Sequence, residues 1–167
     1  MTIGESMLAE FDSEMGTTRR VLERVPSDKA EWKPHPKSFA IGHLAQLVAR
    51  MPGWITGTLK ASSLDLGSFQ GYSFEKTETL LATFDKNVQE ARQALAGASD
   101  AAFSAPWSLK RGDQVFFTLP VGAVVRQNIN HLVHHRGQLT VYLRLLDIPV
   151  PSVYGPTADE AMPVFNK

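Results

Sequence analysis

Cysteine is absent from the 167 residues. That excludes disulfides and thiolate-held metals together, so any metal must be held by His, Asp, Glu or water. Excess charge is absent too: Lys plus Arg and Asp plus Glu stand at 17 each. A neutral chain exerts no long-range pull on DNA, RNA or anionic lipid, so neither nucleic acid nor a membrane surface is expected as a partner. No apolar run approaches the roughly 18 residues of a membrane span. The opening stretch, MTIGESMLAEFDSEMG, has early acids and no long apolar core, unlike a signal peptide. A cytoplasmic protein is therefore expected. Internal repeats and low-complexity segments are lacking as well.

What remains is globular: 43% hydrophobic and 20% charged residues, in a length that suits a single domain over 1–167. Four helical patterns organise it. The first runs from about Thr2 to Val25, with Leu8, Phe11, Met15, Leu22 and Val25 three or four apart and Thr18 interrupting the stripe. Thr2 with Glu5 has the spacing of a capping box, and Pro26 ends the pattern. A proline-rich connector, PSDKAEWKPHPKS, follows, anchored by Trp32. Ser38 is the expected N-cap of the second helix, which reaches about Leu59 through Ile41, Leu44, Leu47, Val48, Met51 and Ile55, with a kink expected at Pro52. The third helix is expected from about Phe74 to Leu95. Two β-prone runs then flank Arg111-Gly112-Asp113 and read as a hairpin. The last helix begins near Pro120 and reaches about Leu146, and a proline-punctuated tail, expected at the surface, closes the chain. Four long helices with a hairpin on the last connection make an all-α four-helix bundle.

Histidine is scarce, yet three of the five fall within NHLVHHRGQL, residues 130–139. On a helical wheel with His131 at zero, His135 lies at about +40° and Tyr142 at about +20°, Asn128 at about +60° and Gln138 at about −20°. Leu139 and Leu132 follow at about +80° and +100°. Arg126, Arg136, Arg144 and Asp147 fall on the far side, which points them outward. The wheel thus expects His131 and His135 inside the buried arc and His134 at its edge. Two imidazoles four apart can meet one metal ion, the spacing also used by HExxH zinc sites, though no Glu follows His131 here. The same spacing serves two core histidines bonded to carbonyls. His43, on the second helix, is a candidate third ligand and equally a boundary histidine; His35, between two prolines, is expected to be exposed.

WKPHPKSFAIGHLAQLVA, NHLVHHRGQLTVYLRLLDIPVP and SVYGPTADE together resemble the DinB/YfiT-like, damage-inducible family of helical bundles. The resemblance covers nearly the whole chain, and HHRGQL is its most specific part. It implies an up-down-down-up bundle, a homodimer, and a divalent metal, Zn or Ni, held by His43, His131 and His135. It also implies a metal-dependent enzyme of small molecules with a stress-response role. Some members resemble transferases using a low-molecular-weight thiol such as bacillithiol or mycothiol, others metal-dependent hydrolases.

Three imidazoles leave an ion an open position, which activates water or a thiol. Asn128, Gln138 and Tyr142 are candidates to support a ligand or touch substrate, although structural packing explains each as well. A non-catalytic role, with the metal joining two helices, is the alternative. Because ligating imidazoles must be neutral, metal loss is expected below about pH 6.

Overall fold

A computed structural model describes residues 2–68, 71–72 and 76–161. Helix α1 spans Ile3–Leu22, α2 Ile41–Lys60, α3 Thr77–Gly97, the short α4 Asp100–Ser104, and α5 Val121–Leu145. The expected start of the third helix at Phe74 lies outside the described residues; within them α3 begins at Thr77.

The ends of α1 and α2 are built differently. Thr2 forms the full capping box: its hydroxyl accepts from the Glu5 N–H at 3.2 Å, and the Glu5 carboxylate accepts from the Thr2 N–H at 2.8 Å. These bonds satisfy two of the donors that a helix start leaves open. Ser38, by contrast, does not cap α2. The cap is Ala40, without a side-chain bond, and the orphan N–H groups of Ile41 and Gly42 donate instead to the Trp32 and Ala30 carbonyls, both at 2.9 Å. The connector does the work expected of a serine hydroxyl and is thereby fixed against the helix start. Pro52 sits inside a continuous α2. It cannot donate to the preceding turn, and Asn87 of α3 supplies a bond to the nearby Ala49 carbonyl at 3.0 Å.

Ion pairs and side-chain contacts read out the direction of each long helix. Arg19 pairs with Asp85 and Arg92 with Asp12, so α1 and α3 are antiparallel. Arg126 pairs with Glu10 and Arg136 with Glu14, so α1 and α5 are parallel. Asn128 meets Thr58 near one end and Tyr142 meets Phe39 near the other, so α2 and α5 are antiparallel. The long helices therefore run up, down, down, up, around a core that includes Phe11, Phe84, Leu44, Ile55, Ile129 and Leu139.

The expected hairpin is present as β2 (Pro106–Arg111) and β3 (Gln114–Pro120), antiparallel and turning through Gly112 at φ +57°. A glycine takes that left-handed backbone without a Cβ penalty. Strand β1, Ser63–Asp65, adds in parallel to β2 and gives a three-stranded sheet in the order β1-β2-β3. Its three residues are too few to stand out in the sequence. Asp65 accepts from the Gly112 N–H at 3.2 Å, tying the hairpin turn to the segment after α2. No helix among the described residues is long and apolar enough to cross a membrane.

The tail is not a surface appendage. Val150, Pro151 and Ser152 are all buried. Asp159 pairs with Arg144 and accepts from the Val150 N–H at 2.8 Å. Glu160 pairs with Arg20 and Arg24 and accepts from the Ser152 N–H at 2.9 Å. Arg136 is the other departure. It was expected to point outward, but it is 1% exposed, with Nη1 donating to the Glu14 carbonyl and the Thr18 hydroxyl, both at 3.1 Å, and lying 2.7 Å from the Glu14 carboxylate. Tyr154 closes this pair: its hydroxyl donates to Glu14 at 2.8 Å, and its ring lies 5.2 Å from the guanidinium carbon.

Candidate metal centre

The position of Arg136 explains where the histidines sit. Val125, Ile129, Leu132, Arg136, Leu139 and Leu143 are all buried on α5, and their arc is centred about 110° from His131. The wheel placed His131 and His135 inside the buried arc; instead His131 is exposed and His135 half-buried. They stand at the rim, on the side of α5 that faces α2.

The pair is closely organised. His131 Nε2 and His135 Nε2 are 2.9 Å apart. His135 Nδ1 lies 2.7 Å from Gln138 Oε1, and Gln138 Nε2 lies 3.2 Å from His134 Nε2. With the Gln138 amide in this orientation, one set of protons is consistent with all three contacts. The amide nitrogen donates to His134, so the amide oxygen accepts from His135 Nδ1–H, and His135 Nε2 is then the bare, accepting nitrogen. Trp54 of α2 flanks His131 with ring centroids 5.8 Å apart. Partial desolvation of the ring at the rim, then the neighbouring His135 and His134, holds the His131 pKa below its ordinary value.

His43 lies nearer the start of α2. Its ring stacks on Phe39 at 4.4 Å and 18° and meets Tyr72 at 4.8 Å. Burial, and secondarily Lys33, lowers its pKa, so it too favours the neutral form that ligates. It borders a cavity of about 440 Å³ whose other walls include Glu31, Lys33, Phe39 and Tyr72.

Two of the three expected ligands are therefore brought together and the third is not. Among the described residues, no group of three His, Cys, Asp or Glu side chains converges as a metal site. The pair itself fits an ion. At Zn–N lengths of about 2.0–2.1 Å, two tetrahedral ligand nitrogens lie roughly 3.3 Å apart, close to the observed spacing. The bond from His135 Nδ1 to Gln138 is the kind that orients a ligating imidazole.

The remaining candidates serve other contacts. The Asn128 amide donates to Thr58 Oγ1 at 3.3 Å, joining α5 to α2. The Tyr142 hydroxyl donates to the Phe39 carbonyl at 3.3 Å, while its ring meets Trp32 edge-on at 5.7 Å. His35 is exposed in a turn, where its Nδ1 accepts from the Lys37 N–H at 3.2 Å. Sequence reasoning overlooked Lys33 and Glu31 at the cavity; charged residues in a polar connector carry no signal that they face a common space.

The chain was compared with known proteins. The DinB family model matches residues 1–163. The Bacillus subtilis (strain 168) protein YrdA is 24% identical over 160 residues, covering 93% of this chain and 90% of that protein. A DinB-like protein from Bacillus cereus ATCC 10987 superposes with a TM-score of 0.70 at 22% identity, over 90% of this chain and 97% of that one. The DinB-like protein YjoA of Bacillus subtilis gives 0.71 at 15% identity, over 89% and 97%.

Proposed function

The chain belongs to the DinB family, and from that premise we propose that it is a metal-dependent enzyme of small molecules, with His131 and His135 holding a divalent ion and His43 the third ligand. The observation that carries the reading is the 2.9 Å approach of two Nε2 atoms, one of them freed of its proton by the bond from His135 Nδ1 to Gln138. Without an ion the same approach is a hydrogen bond from His131 Nε2–H to His135 Nε2, and an ion bound between the two nitrogens would take the place of that proton. The exposure of His131 supports catalysis over a purely structural ion, since a rim position is open to small molecules. An ion of the Zn or Ni class supplies Lewis acidity, which generates a thiolate or hydroxide nucleophile near neutral pH. Gln138 holds the His135 ring, Trp54 shields one side of His131, and Tyr142 fixes the start of α2 against α5. We favour transfer of a low-molecular-weight thiol to an electrophile, with hydrolysis as the competing outcome of the same assay.

Elemental analysis of the untagged chain after reconstitution tests the metal. About one equivalent of Zn or Ni is expected, lost in His131→Ala and His135→Ala and kept in His35→Ala. His43→Ala decides the third ligand: retention at full affinity removes His43 from the site. No metal in the wild-type chain ends the reading. If metal is present, a panel of electrophiles with and without thiol separates transfer from hydrolysis.

A further inference from the structure

The cavity beside His43 has two kinds of wall. One is flat and aromatic: Phe39 stacked on the His43 ring, with Tyr72 tilted against it. Phe39 is 47% exposed, a large apolar surface left at the mouth of a cavity of about 440 Å³, within the range of small-molecule sites. The other wall is ionic and carries both signs, Glu31 and Lys33. The arginines Arg19, Arg20, Arg24, Arg92, Arg126, Arg136 and Arg144 each meet a carboxylate, whereas no lysine among the described residues does. Glu31 and Lys33 are two residues apart and of opposite sign, yet among the described residues neither forms an ion pair, with the other or with anything else.

Their backbone is held in place. The Trp32 N–H donates to the Lys29 carbonyl at 2.8 Å, and the Trp32 carbonyl accepts from Ile41 at 2.9 Å. The Trp32 ring, between the two charges in sequence, is pinned on Tyr142. A ligand therefore meets a frame that is already ordered, which reduces the entropy lost on binding.

We propose that this cavity binds a small amphoteric molecule of amino-acid type, its carboxylate toward Lys33, its ammonium toward Glu31, and a flat or apolar side group over Phe39 and Tyr72. A ligand of one sign leaves one rim charge facing its like, and specificity arises from that mismatch. The inference deepens the metal reading by naming the class of molecule brought to His43; it rests on that reading for reactivity, not for binding.

Calorimetric titration of the full chain with L-phenylalanine, its methyl ester and N-acetyl-L-phenylalanine tests it, with metal content measured on the same samples. The ester lacks the carboxylate and the acetyl compound lacks the ammonium. Each is expected to bind about three- to fivefold more weakly than the parent, the worth of one partly exposed ion pair. Lys33→Met lowers affinity for the parent to that for the ester and leaves ester binding unchanged; Glu31→Gln does the same with respect to the acetyl compound. Both residues are exposed, so neither change threatens the fold. Equal binding of the three probes, no binding of any, or variants that leave the ranking intact overturn the proposal. Selective binding by a chain that holds no metal upholds the pocket and removes the metal reading. A metal-loaded chain without selectivity does the reverse.

Discussion

Breaking the Arg136–Glu14 pair is the sharpest perturbation the fold offers. Arg136→Met removes a guanidinium that is 1% exposed, and with it the bonds to the Glu14 carbonyl and the Thr18 hydroxyl. It leaves the Glu14 side chain, 12% exposed, with Tyr154 in place of a cation. A buried charge stripped of its partner costs about 3–5 kcal/mol. Against a total of about 5–15 kcal/mol for a domain, that is a large fraction. At about 2–4 °C per kcal/mol for a chain of this size, Tm falls by roughly 6–20 °C. Urea unfolding followed by tryptophan fluorescence gives the free energy directly. The partner change sets the sign. Replacing both residues, Arg136→Met with Glu14→Leu, removes the stranded charge and is expected to recover most of the loss, because a buried pair gains little net stability over apolar side chains. A single Arg136→Met variant that loses under about 1 kcal/mol would refute the placement of this arginine in the core. A double variant no better than the single one would show that lost packing, not a stranded carboxylate, sets the cost.

Other perturbations address the site, the tail and the packing. Gln138→Ala is expected to weaken metal binding about 10- to 100-fold while leaving Tm of the metal-free chain near the wild-type value; equal affinity in a competition titration would show that Gln138 does not orient His135. The clasp of the tail responds to acid. The Arg144 guanidinium, then the Val150 N–H, holds Asp159 below its ordinary pKa, and the Ser152 N–H, then Arg20, does so for Glu160. Depressed carboxylates contribute stability above their unfolded values of about 4, and that stability is lost as pH falls through the folded values. Hydrogen-exchange protection factors at Val150 and Ser152, corrected for the intrinsic rate at each pH, should therefore hold from pH 7 to about 5 and fall below about 4; a fall already by pH 5 points to a different restraint. Gly4→Ala places a Cβ 2.5 Å from the Leu95 carbonyl. Overpacking of that kind costs about 1–3 kcal/mol, and a variant as stable as the wild type in urea would mean that α1 and α3 separate there without strain.

The helices were legible because their apolar spacing repeats over many residues, and the capping box because Thr2 and Glu5 satisfy each other locally. What escaped the sequence depends on partners far away in the chain. Thr18 broke the stripe of α1 and Arg136 lay opposite the histidines on α5; together they form one buried contact, and each looked anomalous or superficial alone. The wheel, anchored on His131, assumed that the histidines marked the core. Leu132, Leu139 and Leu143 were better markers, since burial follows the apolar residues that no polar contact can replace. Ser38 has the chemistry of a cap but lost to two backbone carbonyls of the connector. Asp159 stays exposed and Glu160 half-buried, but their ion pairs were hidden in the sequence, because the basic residues they meet come from α1 and α5.

The parallel course of α2 and α3 makes the wiring of the bundle a question of tether length. Asp65 is held in the sheet near the exit of α2, while Thr77 Oγ1 and Ser27 Oγ lie 2.7 Å apart at the opposite end. The distance to be covered is about the length of a 20-residue helix, some 30 Å, which takes roughly nine extended residues. Only 11 residues separate Asp65 from Thr77. Trimming this segment by more than a few residues leaves α3 no path to its present start, and the chain would have to give up either β1 or the parallel pairing. An insertion there costs little beyond a small loop entropy, so the segment can lengthen far more readily than it can shorten.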